Sequence, residues 1–477
     1  MRSKQKKEFV QAIFCAPSGS YNHLPYPTRL TDEVFKALQA VCINRIYGCG
    51  WDTRKETQIQ TLLLCEKYGM IYLPEIHTAF DYVRMKTDEN GKKPFRFLTE
   101  AEKQEVDENF IKEIEWFTQY PAFGGVFFKD EPGFLVLDAI ARAKRVFDKH
   151  YAQYEFHINN ISYSINNAIF WGGYLGLEET EGELPFDLKG DLELTFKNRF
   201  NYYDLFVEEL LSKASFEFMS WDRYPYENVW PTHPAAVHVA LFELNDFYLM
   251  KKRKYGNKFC NFLQAGTAIW DGNAQRPLRF SEAALQMNVT VAYGADGFNY
   301  FPGCFPVDWI PEHHPGECFL GSENGKTGLI DIYGKTTQFY EWTKILNSFF
   351  KAIESDILSA ELLGVAAYGE YDNGYDEKIE TLPDNECIYK GNLPISLPYT
   401  EKGLEVISSN QLMISTFENN SKKRYYIVNL STVYDNQIDI SFPEKEYEIV
   451  SIESKTEIIN TLKCSLGAGC GIYVIKR

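Results

Sequence analysis

Two adjacent carboxylic acids close a short apolar run in "GGVFFKDEPG", Gly124 to Gly133. Val126, Phe127 and Phe128 read as a buried strand, and Lys129, Asp130 and Glu131 follow at once. Neighbouring acids repel each other's charge and burial adds to the effect, so one of them can hold a proton near neutral pH while the other stays ionised. Cleavage of a glycosidic bond needs a protonated acid near neutral pH and usually a second carboxylate. Side chains alternate along a strand, so one of Asp130 and Glu131 points inward if the strand continues through them. The plainer alternative is that Asp130 caps the next helix and Glu131 sits exposed at the start of a loop.

The elements around this pair decide how the acids are placed. Apolar segments of strand length alternate with amphipathic helical segments over about 300 residues, a spacing that suits eight strand–helix units. "LTDEVFKALQAVC" reads as a helix capped by Thr31 or Asp32, and "KETQIQTLLLCEKYG" as one stopped by Gly69. The expected fold is α/β: a (β/α)8 TIM barrel over residues 1–358, followed by a small all-β antiparallel sandwich domain over 359–477. A doubly wound sheet is the competing architecture, but the chain lacks a glycine-rich phosphate turn. The aromatic positions Phe339, Trp342, Leu346, Phe349 and Phe350 give the last helix a face on which the sandwich is expected to pack.

In such a barrel the chemistry lies at the C-terminal strand ends. The residues there are Tyr47 and Trp51, Glu75, Asp130 and Glu131, Asn159 and Asn160, Trp221, Asp222 and Tyr224, Gln264 and Trp270, and Asn299 and Tyr300. Acids, amides and aromatics suit a sugar: amides and carboxylates bond hydroxyls, and aromatic faces stack on the ring. The catalytic candidates are Glu131, Asp130 and Asp222. The substrate-binding candidates are Glu75, Tyr47, Trp51, Asn160, Trp221, Tyr224, Gln264, Trp270 and Tyr300. Each has a structural alternative: Asp222 could pair with Arg223 or Arg276, Gln264 could brace Glu131, and any of the tryptophans could be core.

Bulk properties narrow the partners. The net charge of −17 over 477 residues argues against nucleic acid, whose phosphates need clustered Lys and Arg. No apolar run reaches membrane-spanning length. The ten cysteines show no Cys-x-x-Cys pair and no zinc-ligand spacing with histidine, so neither a metal nor a cofactor is expected. Glu8 and Gln11 interrupt the N-terminal apolar stretch, which reads as a first strand rather than a signal peptide. Free thiols and that reading point to the cytoplasm, with secretion open if a leader has been removed.

Three stretches resemble the (β/α)8 glycoside hydrolases of the clan A type that carry a C-terminal β-sandwich. "GVFFKDEPG" is similar to their strand-four motif, Asn-Glu-Pro or Asp-Glu-Pro, whose Glu is the general acid/base. "SWDRYPY" resembles an Asp-x-Tyr-Pro strand-six motif. "NFLQAGTAIWDGNAQRPLRFSEAALQMNVTVAYGADGFNYF" resembles their shared final section. The resemblance implies hydrolysis of an oligosaccharide or glycoside with Glu131 as acid/base. It departs at strand seven, where retaining members carry a nucleophilic Glu and this chain has Gln264. The nucleophile is then either Asp222 or Glu75, or the substrate's own 2-acetamido group held by Asp130, with Tyr224 or Tyr300 on the acetamido oxygen. A transglycosidase using the same residues and a catalytically silent sugar-binding barrel are the alternatives.

Overall fold

The computed structural model describes residues 8–19, 26–48, 53–83, 98–133, 136–160, 196–226, 237–266, 269–270, 273–274, 277–305, 327–369, 393–452 and 458–476. Eight parallel strands form one sheet: β1 (Val10–Phe14), β2 (Arg45–Tyr47), β3 (Ile71–Leu73), β4 (Gly125–Asp130), β5 (Glu155–Asn160), β6 (Phe218–Asp222), β7 (Lys258–Gln264) and β8 (Gly297–Phe301). Their order is β3-β2-β1-β8-β7-β6-β5-β4. Parallel bridges between Tyr72 and Phe123 and between Glu75 and Phe127 join the two outer strands, so the sheet curls into a nearly closed barrel. The described chain divides into two compact units, Ile46–Asp222 and Met1–Arg45 with Arg223–Arg477.

In the unit Ile46–Asp222 the helices are α2 (Lys55–Tyr68), α3 (Thr78–Val83), α4 (Glu100–Thr118), α5 (Leu137–Tyr151) and α6 (Phe196–Lys213), after α1 (Asp32–Ala40) in the other unit. Local signals set their ends. Thr31 accepts the Val34 N–H at the start of α1, and Thr99 with Glu102 forms a capping box on α4. Gly69 ends α2 at φ 70°, a left-handed turn that a side chain disfavours. Phe128 of β4 packs outward on Tyr82, Phe110 and Phe156, while Phe127 faces Tyr47 and His157. One strand thus feeds two apolar layers.

The other unit carries β1, β7, β8, then α7 (Leu244–Tyr255), α8 (Phe280–Ala292) and α9 (Gln338–Ile357). A π-helical turn, Val239–Glu243, leads into α7. Ile269–Trp270 and Asn273–Ala274 make a two-strand ribbon after β7. From Glu361 the chain is antiparallel. Strands β9 (Glu361–Tyr368), β11 (Leu412–Asn419), β12 (Lys422–Asn429), β14 (Tyr447–Ser451), β15 (Ile458–Ile459) and β17 (Gly471–Lys476) form a six-stranded sheet ordered β9-β11-β12-β17-β14-β15. Strands β10 (Glu405–Ser408), β13 (Asn436–Ser441) and β16 (Thr461–Leu466) form a three-stranded one. Ile414, Tyr425, Ile427, Ile440, Tyr447, Leu462 and Val474 fill the space between them.

The aromatic face of α9 divides between two neighbours. Phe350 packs on Phe9 and Phe298, and Phe339 on Tyr300, so this part of the stripe covers barrel strands. Phe349 meets Tyr426 of the sandwich, with ring centroids 6.2 Å apart, as the spacing suggests. Polar contacts to α8 and the end of α9 add to this. Tyr426 Oη donates to Asn288 Oδ1 at 2.7 Å, and Asn288 Nδ2 to the Gly469 carbonyl at 2.9 Å. Arg424 grips Asp356 through two nitrogens at 2.7 and 2.9 Å, and Tyr473 Oη joins them. Gly469 is required here: at φ 68° a Cβ would lie 1.9 Å from the Ser281 carbonyl oxygen.

Candidate active site

The acid pair lies at the end of β4, and a bulge sets its direction. Phe127 pairs with His157, but Lys129 pairs with Ile158 and Asp130 with Asn159, so one residue of β4 is skipped. A bulge of this kind re-aims the side chains beyond it. Asp130 therefore shares the inner face with Asn159, whose Nδ2 donates to its Oδ1 at 3.0 Å. Gly125 makes the close strand approach possible, since a Cβ at its φ of 145° would meet the Glu155 carbonyl oxygen at 1.9 Å. Glu131 then adopts φ 43°, a left-handed conformation that is uncommon for a side chain of this size. Its N–H donates to the Asn159 carbonyl at 2.8 Å, which fixes the turn. Strict alternation would turn only one of the two acids inward. The bulge and the left-handed turn together bring both to the same place.

Asp222, at the end of β6, completes the cluster. Burial and the charge of Asp130 raise its carboxyl to about 7, while hydrogen bonds from Glu131 and Asn159 work against that rise. Two carboxyls in hydrogen-bond contact hold one proton between them. Asp130 is itself raised by burial and pulled back by the Asn159 amide, Lys129, His157 and the Glu131 N–H. Glu75, just past β3, is raised to about 8 by burial, with Lys129 opposing and Asp130 and Glu113 adding. Glu75 Oε2 and Asp222 Oδ1 are buried acceptors without a hydrogen-bond partner among the described residues. Glu113 holds the neighbouring turn by accepting the His77 and Thr78 N–H groups at 2.8 and 2.9 Å. Asp130 caps no helix, since α5 begins at Leu137 without a side-chain cap.

Several expected binding residues lie elsewhere. Tyr47 is fully buried, its ring 4.3 Å from that of His157 and its hydroxyl on Glu155. Asn160 pairs with Trp221 in register, one step out of phase with Asn159 and Ser220, so both face away from Asp130 and are fully buried. In the other unit, Tyr300 donates to Asn347 Oδ1 of α9 at 2.5 Å and is core. Gln264 is also buried, and its amide clamps the segment after β6: Oε1 accepts the Tyr226 N–H and Nε2 reaches the Tyr226 and Gly266 carbonyls. Tyr224 stacks on Phe301 at 5.1 Å and stays half-buried. Trp270 lies in the two-strand ribbon. Trp51 and Arg276 lie outside the described residues.

Sequence reasoning passed over Glu155 and His157, left Asn159 at its strand end without a role, and passed over Ser220. The first three occupy alternate positions of "EFHINN", a polar stripe on one face of a strand that is otherwise core. In the other unit Asn299 has both amide atoms buried without a partner among the described residues. The described residues hold no group of three metal-ligating side chains, and none of their helices is long and apolar enough to cross a membrane.

No family model matches the chain, and no curated protein matches it in sequence. Solved structures do. Gan42B, a GH42 β-galactosidase from G. stearothermophilus, is similar with a TM-score of 0.53 at 10% identity, over 99% of this chain and 99% of that one. The E323A catalytic mutant of Gan42B gives 0.51 at 10% identity, over 99% and 98%. A β-galactosidase from the psychrophilic Marinomonas ef1 gives 0.43 at 14% identity over 74% of this chain; the chain spans 62% of that protein's length. What is shared with Gan42B at this identity is the fold, a (β/α)8 barrel continued by antiparallel β-sheets along nearly the whole of both chains.

Proposed function

We propose that the chain is a glycoside hydrolase with Glu131 as general acid/base. The observation that carries this is Glu131 itself: a carboxyl at φ 43° in hydrogen-bond contact with a second carboxyl, Asp222. That backbone conformation favours glycine, and a strained position is retained where a specific side chain is needed. A merely sugar-binding barrel has no use for a shared proton at that point.

The geometry also weighs the nucleophile candidates. A nucleophile or base must stand about 5 Å or more from the acid, with the sugar between them. Asp222 touches Glu131, which suits it to sharing the acid's proton. Glu75 keeps its own proton up to about pH 8, which disfavours attack at neutrality. Asp130 is steadied by the Asn159 amide and placed beside Glu131. We therefore favour a substrate-assisted reaction in which the 2-acetamido oxygen of the sugar attacks the anomeric carbon and Asp130 holds the acetamido N–H. Glu131 donates its proton to the leaving oxygen and later takes one from water.

A set of aryl glycosides with and without a 2-acetamido group tests this. Turnover confined to the acetamido sugars, with inhibition by a thiazoline mimic of the cyclic intermediate, is expected. The likeness to β-galactosidases makes an aryl galactoside the decisive competitor. Efficient cleavage of that compound, insensitive to the thiazoline, would reject the substrate-assisted route. Sugar binding without turnover would reject the enzyme, and a product joined to an added sugar acceptor would make it a transglycosidase.

A further inference from the structure

Beneath Asp130 runs a line of polar side chains to which the proposed reaction assigns no task. Tyr47 Oη donates to Glu155 Oε1 at 3.3 Å, and the same oxygen lies 2.8 Å from His157 Nδ1. His157 Nε2 lies 2.9 Å from Ser220 Oγ, which is 2.9 Å from Asn159 Oδ1. Asn159 Nδ2 then reaches Asp130 Oδ1 at 3.0 Å. Tyr47, His157, Asn159 and Ser220 are all within 1% of full burial, and Glu155 is 6% exposed.

The donor directions along this line depend on one another, because Ser220 has one proton and the amide has fixed ends. An ionised Asp130 can only accept, so Asn159 turns its N–H toward it and its carbonyl toward Ser220. That carbonyl also only accepts, so the Ser220 O–H points at it, at 2.9 Å, rather than at the Ile158 carbonyl 3.2 Å away. Ser220 Oγ is then left as an acceptor toward His157, which must carry a proton on Nε2. The opposite polarity turns the Asn159 carbonyl against Asp130, and this contact is favourable only when Asp130 holds a proton.

We propose that His157 is a positioning residue: its ring, ion-paired through Nδ1–H with the Glu155 carboxylate, also carries a proton on Nε2, and that Nε2–H sets the polarity of this chain and keeps Asp130 a carboxylate. The groups facing Asp130 are Lys129 on its own strand, Glu75 beyond β3, the adjacent Glu131, Asp222 at the end of β6, and His157 on β5. Lys129, His157 and the Asn159 amide favour its ionised form against burial. The groups facing His157 are Glu155 on its own strand, Tyr47 on β2 and Asp130 on β4. The proposal rests on the role given to Asp130, which must be ionised to hold an acetamido N–H.

Its first test needs no turnover. In protein labelled with 15N in its eight histidines, His157 is the ring whose signals move in Ser220→Ala. At neutral pH the wild-type Nε2 should show the shift and directly bound proton of a protonated nitrogen. An unprotonated Nε2 would overturn the proposal. The second test is the pH profile of kcat/KM. Ser220→Ala cuts the chain, so Asp130 should be harder to ionise and the acid limb should move up by about one pH unit, roughly tenfold at a fixed pH on that limb. An unmoved limb overturns the coupling. A protonated Nε2 in a protein that turns over no glycoside would count against the hydrolase reading and leave the hydrogen-bonded chain in place.

Discussion

Replacing Glu75 by Gln is expected to stabilise the protein above neutral pH while lowering its activity. Burial lifts this carboxyl from 4.5 to about 8, against the pull of Lys129 and with help from Asp130 and Glu113. A rise from 4.5 to about 8 corresponds to a ceiling of about 5 kcal/mol. Coupling to the neighbouring acids and the loss of a partner for Lys129 reduce this, so about 1–3 kcal/mol is expected at pH 9. The pH window follows from the direction of the shift. Below about 4.5 both folded and unfolded chains hold the proton. Between 4.5 and 8 only the folded chain holds it, so wild-type stability falls as pH rises. Above 8 the penalty is constant. The glutamine variant lacks this slope, so its advantage should be near zero at pH 4.5 and full by pH 9. Urea unfolding of both proteins at pH 5, 7 and 9 measures it through the midpoint and slope. A variant less stable than wild type at pH 9, or a difference that does not change with pH, would refute the reasoning and make Glu75 a structural partner of Lys129.

Two further outcomes are expected. Glu131→Gln should lower turnover of substrates with poor leaving groups by several orders of magnitude and of activated aryl glycosides much less, read from kcat/KM across a leaving-group series; equal modest losses would remove Glu131 from the acid role. Deleting the residues after Ala360 should give insoluble protein, because it strips Tyr426 and Gly469 from Asn288 and Arg424 from Asp356; a soluble and fully active truncation would contradict it.

The eight strands and their helices were legible because each repeats an apolar pattern with its own stop signals, such as Thr31 and Gly69. The acid pair was legible because two acids stand directly at the end of an apolar run that belongs in the core. Phase at the strand ends was not. Asn160 and Tyr300 looked as eligible as Asn159 and Asn299, and a single step of register decides which of two neighbours faces inward. The bulge at Phe127–Lys129 adds to the difficulty, since it re-aims Asp130 with no local signature. Trp221 shows the same limit: its type suggested a sugar platform, while its alternation with Ser220 and Asp222 places it in the core. The stripe Glu155, His157, Asn159 was open to reading, and only the preference for strand ends hid it. On α9, aromatic spacing marked a buried face without saying which neighbour buries it.

The place where the barrel closes has a consequence for how the protein fails. Strands β7 and β8 share a continuous five-residue ladder, whereas β3 meets β4 through two separate bridges, the second at Glu75 and Phe127. Local opening favours places where backbone bonds are few. Breathing at this seam loosens Glu75 and the strand that carries Asp130 and Glu131 in a single event. Mild heating would therefore erase the arrangement of the acids before the ladder of β7 and β8 gives way, and the temperature at which activity disappears would lie below the temperature at which the fold melts.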